Sequence, residues 1–267
     1  MIDGSDHNRD IQSESELGSV DDSLAMRALK VLAAKRAVRS STISEHFILD
    51  LIRAVKDVGR GDPRRIVEDM LETRVSPEDV VDFYIPEVAR RLGLAWCEDG
   101  ISFADVTVGT ARLQGMVHAL EESWFPESHL QLDIPGLLVV VMPDEFHTLG
   151  AAVLGLQLRR MGASAKVMIG HDSREIMDTI SQGEFGGVFV SVAQELSLQK
   201  VRTLLVQART ELLKVPPFVL GGSVVSRVAD SAVKAGTDFA TADPKEALRL
   251  CGLTISDSAA QMKVEPR

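Results

Sequence analysis

Only two cysteines occur in 267 residues, Cys97 and Cys251, and they form no Cys-x-x-Cys pair. This argues against a disulfide framework and against a structural zinc site. No apolar run approaches the ~18–20 residues that span a bilayer. The opening stretch, MIDGSDHNRDIQSESELGS, has neither a basic start nor an apolar core and does not read as a signal peptide. A cytoplasmic protein is the expectation. No Gly-x-Gly-x-x-Gly follows the first apolar run, which disfavours a dinucleotide site, and there is no P-loop. An excess of positive charge is also missing. The formal net charge is −10, which disfavours nucleic-acid binding by the chain as a whole.

What is present is ordinary for a globular chain, 45% hydrophobic and 25% charged, with a length that suggests two domains. Residues 1–22 are polar, acidic and serine-rich and read as a disordered tail. Residues 23–42 read as a helix carrying Arg27, Lys30, Lys35, Arg36 and Arg39, with no acid between Asp22 and Glu45. Such a run is a solvated face or, over 23–39, a docking surface for an acidic partner or a DNA phosphate.

Residues 43–124 read as a helical-bundle cap domain of about four or five helices. Ile43, Phe47, Leu51 and Val55 recur at helical spacing. Asp62-Pro63 and Ser76-Pro77 are helix starts. Pro86 is expected to break one helix and begin the next. Ser102 with Asp105 resembles an N-cap, after which Val106, Leu113, Val117, Leu120 and Trp124 mark one face. Residues 125–135 form a linker.

The pattern then changes. Gly136–Met142 is a short continuous apolar run, as in strands buried on both faces. Ala165–Ile169, Gly187–Val192, Pro217–Leu220 and Asp238–Thr241 read as further strands. The intervening helices end near 162, cover 173–182, about 196–213 and about Val225 to Ala235, and finish with Pro244–Leu250. Five βα units in alternation predict an α/β fold over 136–255, a doubly wound five-stranded parallel sheet, followed by a tail over 256–267. In such sheets ligands bind beyond the carboxyl ends of the strands, where the strand order reverses.

That rule singles out the loop after the first strand, Pro143-Asp144-Glu145-Phe146-His147-Thr148-Leu149-Gly150. Neutral imidazole ligates transition metals, and a carboxylate on the second ring nitrogen would orient it. Glu145 is placed to do so. The next helix begins Gly150-Ala151-Ala152, so something flat and wide could lie against its first turn. Taken alone, a loop histidine also fits a solvated or helix-capping role. Ser191 ends the third strand, with Val192 after it. Gly221-Gly222 ends the fourth and leaves a slot where a ring could approach the backbone, or forms a plain strand-to-helix turn. Cys97 is expected to be buried and inert, His171 to decorate the rim, and His46 and His118 to lie on helices.

Glu145-x-His147-x-x-Gly150, Ser191 and Gly221-Gly222 together resemble the cobalamin-binding domain of methionine synthase, corrinoid carrier proteins and B12 photoreceptors. The resemblance covers roughly residues 43–252 and implies a Rossmann-like B12-binding domain behind a helical cap. It implies that His147 is the lower cobalt ligand. It also implies a cofactor site formed by Trp96, Glu145, Phe146, His147, Thr148, Leu149, Gly150, Ser191, Val192, Gly221 and Gly222. Two departures stand out: Glu145 replaces the usual aspartate, and Ala193 replaces a leucine. Leu92–Gly100 resembles the cap segment whose tryptophan, here Trp96, covers the upper corrin face; the alternative is a core tryptophan at a helix end. The Glu-His pair found ten positions further in the B12 photoreceptor repressors is replaced by Val106 and Thr107, which favours a water, hydroxide or small alkyl upper ligand over an adenosyl group.

The stretch from Trp96 to Gly109, with Arg112-Leu113-Gln114, is similar to the AerR/PpaA group of antirepressors of photosynthesis genes. That similarity implies a light- and redox-responsive transcriptional regulator, not an enzyme, whose partner is a repressor protein. DNA contact through 23–39 is a further expectation. Two alternatives stay open: a corrinoid carrier for methyl transfer, and a sensor holding heme on the same fold.

Overall fold

Short polar side chains and prolines open the helices where the sequence places them. The structure, a computed structural model, describes residues 43–56, 62–124 and 135–253. The expectations for the tails, the basic segment 23–42 and the linker up to residue 134 lie outside the described residues. After α1 (Glu45–Lys56), the Asp62 carboxylate accepts the Arg64 N–H and opens α2 (Pro63–Glu72). The Ser76 hydroxyl caps α3 (Pro77–Asp79) through Asp79 N–H. Ser102 and Asp105 cap each other reciprocally, Ser102 Oγ accepting at 3.2 Å and the Asp105 carboxylate accepting the Ser102 N–H at 2.9 Å. They open α5 (Phe103–Trp124).

Pro86 does not break its helix. A π-helical stretch (Val80–Tyr84) joins α3 directly to α4 (Ile85–Cys97), and Ile85 N–H reaches back five residues to Val80 O. A proline ring inside a regular helix collides with the carbonyl four residues earlier. The wider π turn gives that ring room, so the helix continues through it. Leu51, Val55, Met70, Val88, Leu92, Leu113 and Val117 form the buried interior of this helical layer. Gly109 lets α5 approach α4 closely, since a Cβ there would lie 2.9 Å from Leu92 Cδ1.

The second half is the expected α/β fold. β1 (Gly136–Val141), β2 (Ala165–Ile169), β3 (Phe185–Ser191), β4 (Phe218–Gly221) and β5 (Phe239–Ala240) pair in parallel in the order β2-β1-β3-β4-β5. Side chains alternate between two cores. Leu138, Val140, Val188, Val190 and Leu220 pack with α7 (Ser173–Gln182) and α8 (Ser197–Glu211). Leu137, Val139, Val141, Phe189 and Val219 pack with α6 (Leu149–Arg160) and α11 (Pro244–Leu250). Both faces are covered, which is why β1 is apolar throughout. The single helix expected over 225–235 is instead two short ones, α9 (Val224–Arg227) and α10 (Ser231–Ala235). Val228 is extended and Asp230 left-handed (φ 54), so the helix stops between them.

Contacts group the described residues from Phe47 onward as one unit, which holds the helical layer and the sheet together. Polar ties cross from the helical layer to α6. Arg160 donates to both Asp82 oxygens at 2.7 Å, and Gln157 donates to Asp82 at 2.9 Å. Arg159 pairs with Glu121 and also donates to Ala165 O. The π turn carries Asp82. Asp82→Ala would leave the mostly buried Arg160 guanidinium without its carboxylate. We expect a loss of about 2 kcal/mol, below the ~3–5 kcal/mol of a fully buried pair, read as a lowered denaturation midpoint with an unchanged slope.

Candidate functional site

The strand order reverses between β1 and β3, so the loops that leave these two strands flank a crevice at their carboxyl ends. Glu145 bridges the two loops. Its side chain is 1% exposed. One oxygen accepts His147 Nδ1 at 2.7 Å and the His147 backbone N–H at 3.2 Å. The other accepts the backbone N–H groups of Ala193 at 2.9 Å and Gln194 at 3.3 Å. Burial pushes this carboxyl's pKa up. The Ala193 N–H and the contacts from His147 outweigh it, so the net shift is downward and the group is ionised at neutral pH.

The His147 side chain is 65% exposed. With Nδ1 donating to an anionic carboxylate, the ring lone pair belongs to Nε2. The result is an oriented imidazole with one basic nitrogen free for a ligand, on a rigid anchor. The loop is tied further by Lys200 to Asp144 at 2.9 Å, while Asp144 itself is left-handed (φ 66). Phe146 is 80% exposed beside the histidine.

Beside this loop lies a cleft of about 180 Å³ lined by Gly150, Ser191, Gly221, Gly222 and Thr241, with Leu154 and Phe189 at its apolar wall. Gly222 is required where it stands. Its φ is +86, and a Cβ would lie 2.3 Å from Val192 O and 2.8 Å from Val192 N, backbone atoms that cannot yield. At Gly150 a Cβ would meet nothing within 4 Å, so the first turn of α6 is open on that side. Arg227 donates to Ala193 O and to Ser223 O, joining the loop after β3 to the one after β4.

The structure thus brings together Glu145, His147, Ser191, Gly221 and Gly222, with Gly150 on the cleft wall. Phe146 and Thr148 flank the histidine on its loop. Leu149 and Val192 are buried among core residues, so of these two only the backbone is offered to the crevice. Trp96, at the end of α4, is 46% exposed and packs on Phe103 at the start of α5, with ring centroids 5.8 Å apart. It is no core tryptophan. Cys97 is exposed rather than buried, because it is the last residue of α4, beyond the helix's buried stripe. His171 lies at the rim, half-buried, and pairs with Glu175 one turn on. Ala193 and Gln194 donate through backbone N–H groups, so no residue type marks them in the sequence.

An uncharacterized 20.5 kDa protein in the bchF–crtJ intergenic region of Rhodobacter capsulatus is 30% identical over 184 residues, which cover 67% of this chain and 93% of that protein. The chain belongs to the family of that protein. No family model matches the chain. Among solved structures, a monomethylamine corrinoid protein of Methanosarcina barkeri aligns over 78% of this chain and 98% of its own at 12% identity and a TM-score of 0.59. That likeness concerns the fold, a helical layer followed by a five-stranded parallel α/β unit. A cobalamin-binding protein of Desulfitobacterium hafniense DCB-2 aligns over 77% of this chain and 97% of its own at 14% identity and a TM-score of 0.41.

Glu145→Gln would replace an oxygen that accepts N–H donors with an amide that is itself a donor. We expect a loss of about 1–3 kcal/mol at neutral pH. Because the Glu145 pKa is depressed in the folded state, its contribution is complete above the ordinary value of about 4.5 and is lost as pH falls through the folded value. The wild-type and variant stability curves, measured by denaturant titration between pH 7 and pH 3, should therefore converge on the acid side.

Proposed function

We propose that the chain binds cobalamin, with Nε2 of His147 as the lower cobalt ligand, and that it is a light- or redox-responsive regulator acting on a repressor protein. The observation that carries the reading is the exposed imidazole fixed through Nδ1 to a buried, ionised Glu145 at the point where the strand order reverses. Among the described residues no cluster of three or more metal-binding side chains occurs. A single protein ligand suits a metal that brings its other ligands with it, as the cobalt of a corrin does. The residues fit such a group. Gly222 keeps the mouth of the cleft clear, Ser191 and Gly221 line it beside the histidine, and the first turn of α6 is small and open.

When bound, cobalamin supplies a cobalt whose upper position changes occupant with light or oxidation state. The chain's own residues do the rest. Glu145 holds the imidazole in one orientation and one tautomer. The cleft would receive the cofactor's own base-bearing tail, which His147 would displace, and the partly exposed Trp96–Phe103 pair would offer an apolar surface suited to a flat ring. The position of the R. capsulatus relative, between bchF and crtJ, agrees with the photosynthesis-gene resemblance of the sequence.

The deciding measurement is the absorption spectrum of purified protein with hydroxocobalamin, in the dark and after illumination. We expect a retained corrin spectrum altered by histidine ligation, and His147→Ala to lose that alteration and to retain the cofactor at least tenfold less well, about 1.4 kcal/mol. A wild-type spectrum in that variant removes His147 as ligand. A heme Soret band after loading with hemin, with no corrin uptake, makes the protein a heme sensor instead. Methyl transfer from a loaded corrin to a thiol acceptor would favour a carrier.

For the partner, substituting Arg27, Lys30, Lys35, Arg36 and Arg39 by Gln in the full chain should leave the corrin spectrum unchanged. It should weaken binding to the cognate repressor in a salt-dependent way. Unchanged repressor affinity removes the basic segment from the interface.

A further inference from the structure

Arg112, Leu113 and Gln114 are consecutive on α5 and have three separate contacts. Leu113 is fully buried in the helical layer. Arg112 Nη1 donates to Ala54 O at 2.9 Å and Val55 O at 3.3 Å, carbonyls in the last turn of α1 that lack partners within the helix. Gln114 Nε2 donates to Thr148 Oγ1 at 2.6 Å.

Thr148 stands directly after His147 and directly before α6. A threonine in that position ordinarily turns its hydroxyl onto the free N–H groups of its own helix. Here it makes no such cap. The Ala151 and Ala152 N–H groups go to the Thr148 backbone carbonyl at 3.1 and 3.2 Å, and the hydroxyl is left to Gln114. The Thr148 N–H returns to Phe146 O at 3.0 Å, closing a tight turn around His147. One residue therefore closes the histidine's turn, starts α6 and receives α5. Gly115 and Gly150 lie next to this bond on the two helices, and a Cβ on either would meet nothing within 4 Å.

We propose that Gln114 is a positioning residue for the cobalt ligand, fixing the His147 turn through Thr148 so that the placement of α5 is transmitted to the imidazole and the ligation of the imidazole to α5. This rests on the cobalamin reading above. By linkage the coupling runs both ways with equal free energy. Arg112, two residues earlier, anchors the same helix to the end of α1.

The test uses full-length protein loaded with hydroxocobalamin and four variants: Gln114→Leu, Thr148→Val, the double variant, and Thr148→Ser. Two quantities are read. One is the rate of cofactor loss on dilution. The other is the nitrogen superhyperfine splitting in the EPR spectrum of the reduced cobalt(II) form of 15N-histidine-labelled protein, where imidazole on the metal gives a doublet and the cofactor's own 14N base a triplet. Each of the first two variants should speed loss about three- to tenfold, the range of one net hydrogen bond, and should weaken the splitting. The double variant should be no worse than the weaker single, because both remove the same bond. Thr148→Ser keeps the hydroxyl and should stay closer to wild type than Thr148→Val. Wild-type loss rates and splitting in both singles, or an additive double, overturn the inference. Amide hydrogen exchange over residues 143–149 of the cofactor-free protein separates the two readings. If wild type takes up no corrin, the proposed function falls and the ligand role with it. Unchanged exchange in Gln114→Leu and Thr148→Val overturns the clasp itself, whatever the cofactor.

Discussion

A single buried carboxylate sets the geometry of this crevice. Glu145 accepts four N–H groups, two from the histidine it serves and two from the backbone of the loop after β3. An anion taken from water needs nearly all of its lone pairs satisfied, and these donors satisfy them. One consequence is electrostatic: hydrogen bonds to the charged form outweigh desolvation, so the group stays ionised. The other is mechanical. The loops after β1 and β3 diverge because the chain winds outward in opposite directions from these neighbouring strands, and the carboxylate holds them together. Glutamate is one methylene longer than the aspartate of the resembling proteins. That length is used to span from the histidine ring to the Ala193 and Gln194 amides.

The rest of the fold presents this junction. The β2-β1-β3-β4-β5 order leaves one crevice at the carboxyl ends, and the alternating apolar side chains of β1 and β3 fix the strands from both faces. α6 leaves that crevice and lies between the sheet and the helical layer. Its small residues serve the approach to the sheet: a Cβ at Gly155 would lie 2.6 Å from Val167 Cγ2. Its polar residues serve the other side, through Gln157 and Arg160 to Asp82 and Arg159 to Glu121.

Much of this was legible in the sequence because it is local. Asp62, Ser76 and Ser102 announce helices within three residues of themselves, and β2, α7 and α11 fall where apolar runs and capping residues put them. The pairing of Glu145 with His147 spans two positions, so motif and geometry coincide. The misread features are those where distant groups decide. Pro86 reads as a break until a π turn makes room for it. Val225 to Ala235 reads as one helix, yet Arg227 turns to carbonyls at Ala193 and Ser223 and the backbone leaves the helix at Val228. Cys97 follows an apolar stretch and so reads as buried, although the helix ends there. The Ala193 and Gln194 donors belong to backbone and have no residue signature at all.

The ties between the helical layer and α6 carry a directional argument. Gln114 meets Thr148 and Glu121 meets Arg159, so α5 and α6 run in the same sense and are joined at two levels. A displacement of α5 along its axis cannot be absorbed at one tie without loading the other. Phe103 opens α5 and packs on Trp96, which places an exposed aromatic pair at the start of the same helix that reaches the histidine turn at Gln114. A ligand shifts a conformational balance only by binding one arrangement better than another. On the proposed function, a change of occupant above the cobalt would act at the aromatic pair and a change of lower ligation at Thr148. Both would then bear on one helix, whose Arg112 holds the last carbonyls of α1 and so extends the same constraint toward the chain's N-terminal side.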